Sequence, residues 1–171
     1  MALKFFPLLA HAAAALALLL LPASLIAQSP ARPTQVHFIW MGGDDCPPCV
    51  AWRAQELPVL QKTKVFREIA FSYVPKNIRS AVPPRFYLPE AVKPFKEKLD
   101  AANAGRIGSP QVALLVNGKV FDYFFGARSA LDIEEMLIAA RNGGRYPFPR
   151  CLRLEANGPG CAGGWIPAPA R

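Results

Sequence analysis

The chain has 171 residues, 52% of them hydrophobic, with 20 Lys and Arg against 12 Asp and Glu and a formal net charge of +8. That length supports one domain plus appendages, with ample apolar material for a core. The positive charge is scattered, with no Lys/Arg block and no nucleic-acid motif, which argues against a nucleic-acid binder and leaves solubility with weak steering of acidic partners.

Residues 1–27 read as a secretory signal: Lys4 supplies the n-region charge, residues 8–21 form an apolar run interrupted only by His11, Pro22 breaks the helix, and Ala27 precedes the cut. Leu25 matches the cleavage pattern poorly, so the cut site is not fixed by the sequence. The apolar run is shorter than the ~20 residues a membrane span needs, so cleavage is expected, and the membrane would be touched only by an uncleaved signal. No cysteine lies near the signal end, so no lipid anchor is expected there. Export implies an oxidising compartment, in a bacterium the periplasm. All 4 cysteines fall in the exported part, and losing Lys4 leaves a net charge of +7. Residues 28–33 form a short polar linker with two prolines.

A first strand is expected over 34–41, with the weak alternation of a strand buried on both faces. His37 in it reads as a packed core or edge residue rather than a ligand. Gly42-Gly43 makes a turn into Asp44-Asp45-Cys46-Pro47-Pro48-Cys49. A helix begins near Pro47, since proline fits a first helical turn. Val50, Ala54 and Leu57 form its expected apolar stripe, with Trp52 and Arg53 off it. Pro58 should kink or end that helix, with 59–66 continuing it. A second strand is expected over 69–74.

Residues 75–105 form a Pro-rich loop and then a helix over 94–104, with Phe95, Leu99 and Ala102 on one face and Gly105 as the stop. Within that stretch, 82–88 with Arg85, Phe86 and Tyr87 could either cover the core or border the cysteines and choose the partner. Strands over 111–116 and 120–125 are joined at Asn117-Gly118, a strong hairpin signal. Ser129 to Asp132 is a weakened capping box. The helix it opens should bury Leu131, Met136 and Leu137, with Ile133 and Ile138 as further candidates, and should end at Asn142-Gly143-Gly144. The tail, 143–171, is Pro/Gly-rich and without period. A disulfide between Cys151 and Cys161 would tie it and stabilise it by ~3 kcal/mol on the chain-entropy model. There is no internal repeat.

A strand, a turn and two cysteines three apart at a helix start suit thiol chemistry. The first thiol sits where the helix dipole favours a thiolate, and the second lies one turn on. Taken alone, the pair is only a moderate signal, and it could also be half a zinc site or a structural bridge. Pro110, taken alone, is a strand-start proline.

The Cys46-to-Cys49 motif, followed by Gly108-Ser109-Pro110, the hairpin and a closing helix, resembles the thioredoxin superfamily over about residues 34–142. The resemblance implies an α/β thioredoxin-like fold: a central mixed β-sheet flanked by helices, with 75–105 as an insertion before a cis-proline. It also implies a thiol–disulfide oxidoreductase. Cys46 would be the exposed nucleophile, Cys49 the buried resolving thiol, and Pro110 the cis-proline, with Ser109 offering its backbone and Pro47 and Pro48 lying along the bound substrate. Cys46 would attack a partner disulfide, and Cys49 would then release the product and close the Cys46–Cys49 bond. No metal or organic cofactor is called for. The expected partners are proteins carrying thiols or disulfides, together with an upstream electron donor that the sequence does not identify. A monomer is expected.

Pro47 and Pro48 lack N–H groups, and Asp44 and Asp45 place negative charge beside Cys46; both disfavour the thiolate and bias the pair to a reductant or mild exchanger. The chain departs from the family pattern at two positions. Trp40 stands where many thioredoxins keep a buried carboxylate, and Asp45 stands where tryptophan usually precedes the first cysteine. Asp44 or Asp45 is therefore the candidate proton acceptor, with water as the alternative. Two other functions compete: a copper- or zinc-handling protein using Cys46 and Cys49, and a non-catalytic thioredoxin-fold scaffold in the cell envelope.

Overall fold

A computed structural model describes residues 33–150 of the chain. The proposed signal segment and the Cys151 and Cys161 pair lie outside the described residues, as does the tail beyond 150. Four strands form one sheet: β1 (Val36–Gly42), β2 (Ala70–Pro75), β3 (Gln111–Val116) and β4 (Lys119–Phe125), in the order β2-β1-β3-β4. β1 runs parallel to β2 and antiparallel to β3, and β3 pairs antiparallel with β4. β1 is thus central, and its side chains divide between two cores. Phe38 and Trp40 enter one, and Ile39 and Met41 enter the other. This is the physical origin of its unbroken apolar sequence. The β3–β4 turn puts Asn117 at φ 50° and Gly118 at φ 72°, the left-handed pair that a two-residue hairpin requires.

Three short helices follow β1: α1 (Pro47–Gln55), α2 (Leu57–Leu60) and α3 (Lys64–Arg67). Pro58 ends the first segment as expected, because a helix cannot continue its ladder through proline. The buried face of α1 differs from the expected stripe. Val50 is 41% exposed and Ala54 is also exposed, whereas Trp52 is buried. Cys49 and Trp52 are the residues of α1 turned inward, followed by Leu60 of α2. The indole explains the choice, since it removes more apolar area from water than valine and alanine offer. It stacks on Trp40 at 3.7 Å between ring centroids and 11° between planes, and its N–H donates to the Arg128 carbonyl at 2.9 Å.

The same core receives α5 (Ala130–Asn142) through Ile133, Met136 and Leu137. Leu131 and Ile138 are exposed at 49% and 42%, contrary to expectation; the buried stripe runs instead through Ile133, Met136, Leu137 and Ala140 at helical spacing. Ser129 caps the helix by accepting from the Asp132 amide at 3.1 Å, and the Glu56 carboxylate accepts from the Ala130 amide at 2.7 Å. Two acceptors thus satisfy free donors at the positive end of the dipole.

The opposite face is covered by α4 (Lys96–Asn103) and the loop before it, through Leu99, Val82, Leu88 and Val92. α4 stops at Ala104, which takes the left-handed conformation with φ 54°, one residue before the expected glycine. His37 is half-buried, bonded to the Ser72 hydroxyl at 2.9 Å and edge-on to Phe95, as a packed strand histidine should be. The start of the tail packs better than its composition implies. Tyr146 and Phe148 lie against the core, the Tyr146 hydroxyl donates to Asp122 at 2.8 Å, and Arg128 stacks over Phe148. Among the described residues no helix is long and apolar enough to cross a membrane.

The Trp40–Trp52 stack joins α1 to the sheet, so Trp52→Ala should cost about 3–5 kcal/mol, read from a urea unfolding curve. A loss below about 1 kcal/mol would show that the stack is not what fixes α1.

Candidate active site

The site forms where β1 runs into α1. Cys46 is the N-cap of α1, with its carbonyl accepting from the Cys49 amide at 2.9 Å and the Val50 amide at 3.1 Å. Pro47 and Pro48 occupy the first turn and contribute no N–H, so the Cys49 amide is the first donor of the helix, and it is already turned to the Cys46 carbonyl. Cys46 and Cys49 are joined by a disulfide, their Cα atoms 5.2 Å apart. Gly42 makes this junction sterically feasible: a Cβ there would stand 2.6 Å from the Cys49 Sγ. Only glycine lets the strand end approach the helix so closely.

Cys46 was expected to be exposed, and here the structure differs. Both Cys46 and Cys49 have 0% relative exposure. The Cys46 sulfur is bonded to its partner beneath the surface, and Asp44, Asp45, Pro47 and Pro48 are the exposed residues of the turn. The two carboxylates are each engaged. Asp44 pairs with Arg53, and Asp45 accepts from the Ile78 amide at 3.0 Å. Together with Gly43, Tyr73, Pro75, Lys76 and Asn77, they and Arg53 line a cavity of about 410 Å³ beside the disulfide loop.

Pro110 and Ser109 come to the same end of the sheet. Met41 pairs with Gln111 across β1 and β3, so continuing the antiparallel register sets Pro110 opposite Gly42. Pro110 is buried, the Ser109–Pro110 bond is cis, and the Ser109 hydroxyl donates to the Met41 carbonyl at 3.4 Å. This loop is held from behind by a polar network. Gln111 donates to the Gly108 carbonyl at 2.8 Å while its own side-chain oxygen accepts from Asn103 and Tyr123, at 2.8 and 2.5 Å. Burial pushes the Tyr123 hydroxyl well above the usual tyrosine range, so it remains a donor at any ordinary pH.

Lys76 was not singled out in the sequence. It has only 6% exposure, and its ammonium donates to the Gly108 carbonyl at 2.6 Å and the Asn77 carbonyl at 3.1 Å. Its backbone N–H donates to the Gly42 carbonyl at 3.1 Å, which also accepts from the Tyr73 hydroxyl at 2.7 Å. One residue thus stitches the disulfide loop to the Pro110 loop. Burial lowers the Lys76 ammonium from 10.5 to about 8, against the upward pull of Asp45. The available signal was a lone lysine straight after a strand, which is too common to stand out.

Comparison of the chain with protein-family models and with curated proteins finds no match. The geometry itself establishes an α/β domain with a mixed four-stranded sheet that holds two cysteines in a disulfide at a strand–helix junction, an arrangement compatible with a thioredoxin-like fold. Among the described residues there is no cluster of three or more metal-ligating side chains.

The depressed Lys76 pKa has a definite sign. Between about pH 8 and pH 10.5 the unfolded chain holds a proton there that the folded chain has lost, so folding stability rises with pH across that window and is flat below it. Subtracting the unfolding free energy of Lys76→Met from that of the oxidised native protein should isolate this rise. Parallel curves for the two proteins would show that Lys76 titrates normally.

Proposed function

We propose that the protein is an exported thiol–disulfide oxidoreductase of the thioredoxin type, exchanging disulfides with protein partners through Cys46 and Cys49. The observation that carries this reading is the closed Cys46–Cys49 bond at the head of α1, with Pro110 opposite Gly42 in the neighbouring strand register. The exchange needs no metal or organic cofactor, since the electron pair moves between sulfurs. In the reducing direction the Cys46 thiolate attacks a partner disulfide, and the partner's first sulfur leaves as a thiolate. The Cys49 thiolate then attacks Cys46, releasing the second sulfur and closing the bond.

The direction of bias follows from the helix start. Two prolines and an occupied Cys49 amide leave few backbone donors for a Cys46 thiolate. A dithiol whose thiolate is poorly stabilised is the better reductant, so a reductant or mild exchanger is favoured over a strong oxidant. Because neither sulfur is exposed in the oxidised state, attack on the bond requires local opening of the 44–48 turn.

That burial also favours a second reading, in which the bridge is structural and the domain is a non-catalytic scaffold of the envelope. An insulin-reduction assay separates the two. The native chain should accelerate reduction by dithiothreitol, Cys46→Ser should fall to the uncatalysed background, and Cys49→Ser should accumulate a mixed disulfide with its substrate. A native chain no faster than dithiothreitol alone, or a fully active Cys46→Ser, would leave the scaffold.

A further inference from the structure

Trp40 is wholly buried, and its indole nitrogen has no hydrogen-bond partner among the described residues. A buried donor left without an acceptor is rare and unfavourable, and where it persists it asks for an explanation. The ring is not free to turn away. It lies flat on Trp52, which is itself anchored by its N–H to the Arg128 carbonyl.

The polar edge of Trp40 lies at the same strand–helix junction as the Cys49 sulfur. The point where a Gly42 Cβ would stand is 3.4 Å from the Trp40 Nε1 and 2.6 Å from the Cys49 Sγ, so the two atoms lie within about 6 Å of each other. A disulfide sulfur is a poor acceptor, whereas a thiolate is a charged one, and hydrogen bonds to charged groups are the stronger class. The other titratable groups around the turn are committed elsewhere. Asp44 pairs with Arg53, Asp45 accepts from the Ile78 amide, Tyr73 donates to the Gly42 carbonyl, and Lys76 donates to Gly108 and Asn77.

We infer that Trp40 is a positioning residue for the resolving step: when the Cys46–Cys49 bond opens, its indole N–H donates to the Cys49 sulfur and holds it as a thiolate. This rests on the exchange reading above. The proton of Cys49 passes to water, and the thiolate attacks Cys46 in the mixed disulfide. The new Cys46–Cys49 bond forms as the Cys46–partner bond breaks, and the partner sulfur departs with the electron pair. Trp40 transfers no proton. It therefore works differently from the buried carboxylate that the resemblance would put at this position: a carboxylate accepts a proton, whereas an indole stabilises the anion left behind.

The test reads the indole N–H of the full-length chain by ¹H–¹⁵N NMR, with the Trp40 signal assigned by its loss in Trp40→Phe. On reduction with dithiothreitol the signal should move downfield and follow a pH titration that is present in Cys46→Ser and absent in Cys49→Ser. In stopped-flow release from a preformed mixed disulfide at Cys46, Trp40→Phe should be slower at pH 7 by at least about tenfold, with its pH profile displaced upward. An indole signal unchanged by redox state and pH overturns the assignment, as does a Trp40→Phe variant that resolves at the native rate and with the native profile. The two readings fail separately. A native chain inactive on insulin sinks the oxidoreductase, while the NMR titration of the chemically reduced chain still decides the role of Trp40.

Discussion

The contact on which this structure depends is the one between the backbone at the end of β1 and the sulfur of Cys49. At Gly42 the strand passes so close to the first turn of α1 that no side chain fits between them. That approach sets the depth of α1 against the sheet. It brings Trp52 flat onto Trp40, turns Cys49 inward, and leaves the rest of the first turn facing solvent. The same strand end is gripped from both neighbouring strands. The residue after β2 bonds the Gly42 carbonyl, and Ser109 before β3 bonds the Met41 carbonyl. A side chain at position 42 would push α1 outward and disturb every one of these contacts.

This geometry makes the disulfide both well supported and hard to reach. The end of β1 and the Trp40 indole lie close to Cys49, and the exposed residues of the 44–48 turn present the surface. A covered bond is protected from casual reduction, and exchange at it would wait for a local opening. The opening of the 44–48 turn that the proposed exchange calls for would fall at a short helix start. α1 spans 9 residues, its first turn lacks two amide donors, and it is broken at once by Pro58. The Pro110 loop, by contrast, is tied down by Gln111, Asn103, Tyr123 and Lys76.

Much of the fold could be read from the residues because its signals are local. Asn117-Gly118 dictates a tight turn, Pro58 ends a helix, Ser129 caps one, and the apolar run of β1 reports burial on two faces. What the sequence hid depends on distant partners. Helical spacing favours Val50 and Ala54 as the inward face of α1, whereas that face is decided by an indole that finds a stacking partner on β1 and a carbonyl at Arg128. On α5, Leu131 and Ile138 fall off the buried stripe, which runs through Ile133, Met136, Leu137 and Ala140 at helical spacing. The candidate residues Cys46, Cys49, Ser109 and Pro110 do meet at one end of the sheet. The depth of Cys46, the bridging role of Lys76 and the unpartnered edge of Trp40 became visible only once the strands were assembled.

The central claim is that the Cys46–Cys49 bond exists to be exchanged rather than to hold the fold. Equilibrating the full-length protein in buffers of graded reduced and oxidised glutathione or dithiothreitol, then counting free thiols at those two positions by mass spectrometry, measures this directly. The account predicts one reversible two-electron transition at a potential between about −180 and −270 mV, the range of mild exchangers and reductants. A bond that stays closed below about −300 mV, as structural bridges do, would contradict it.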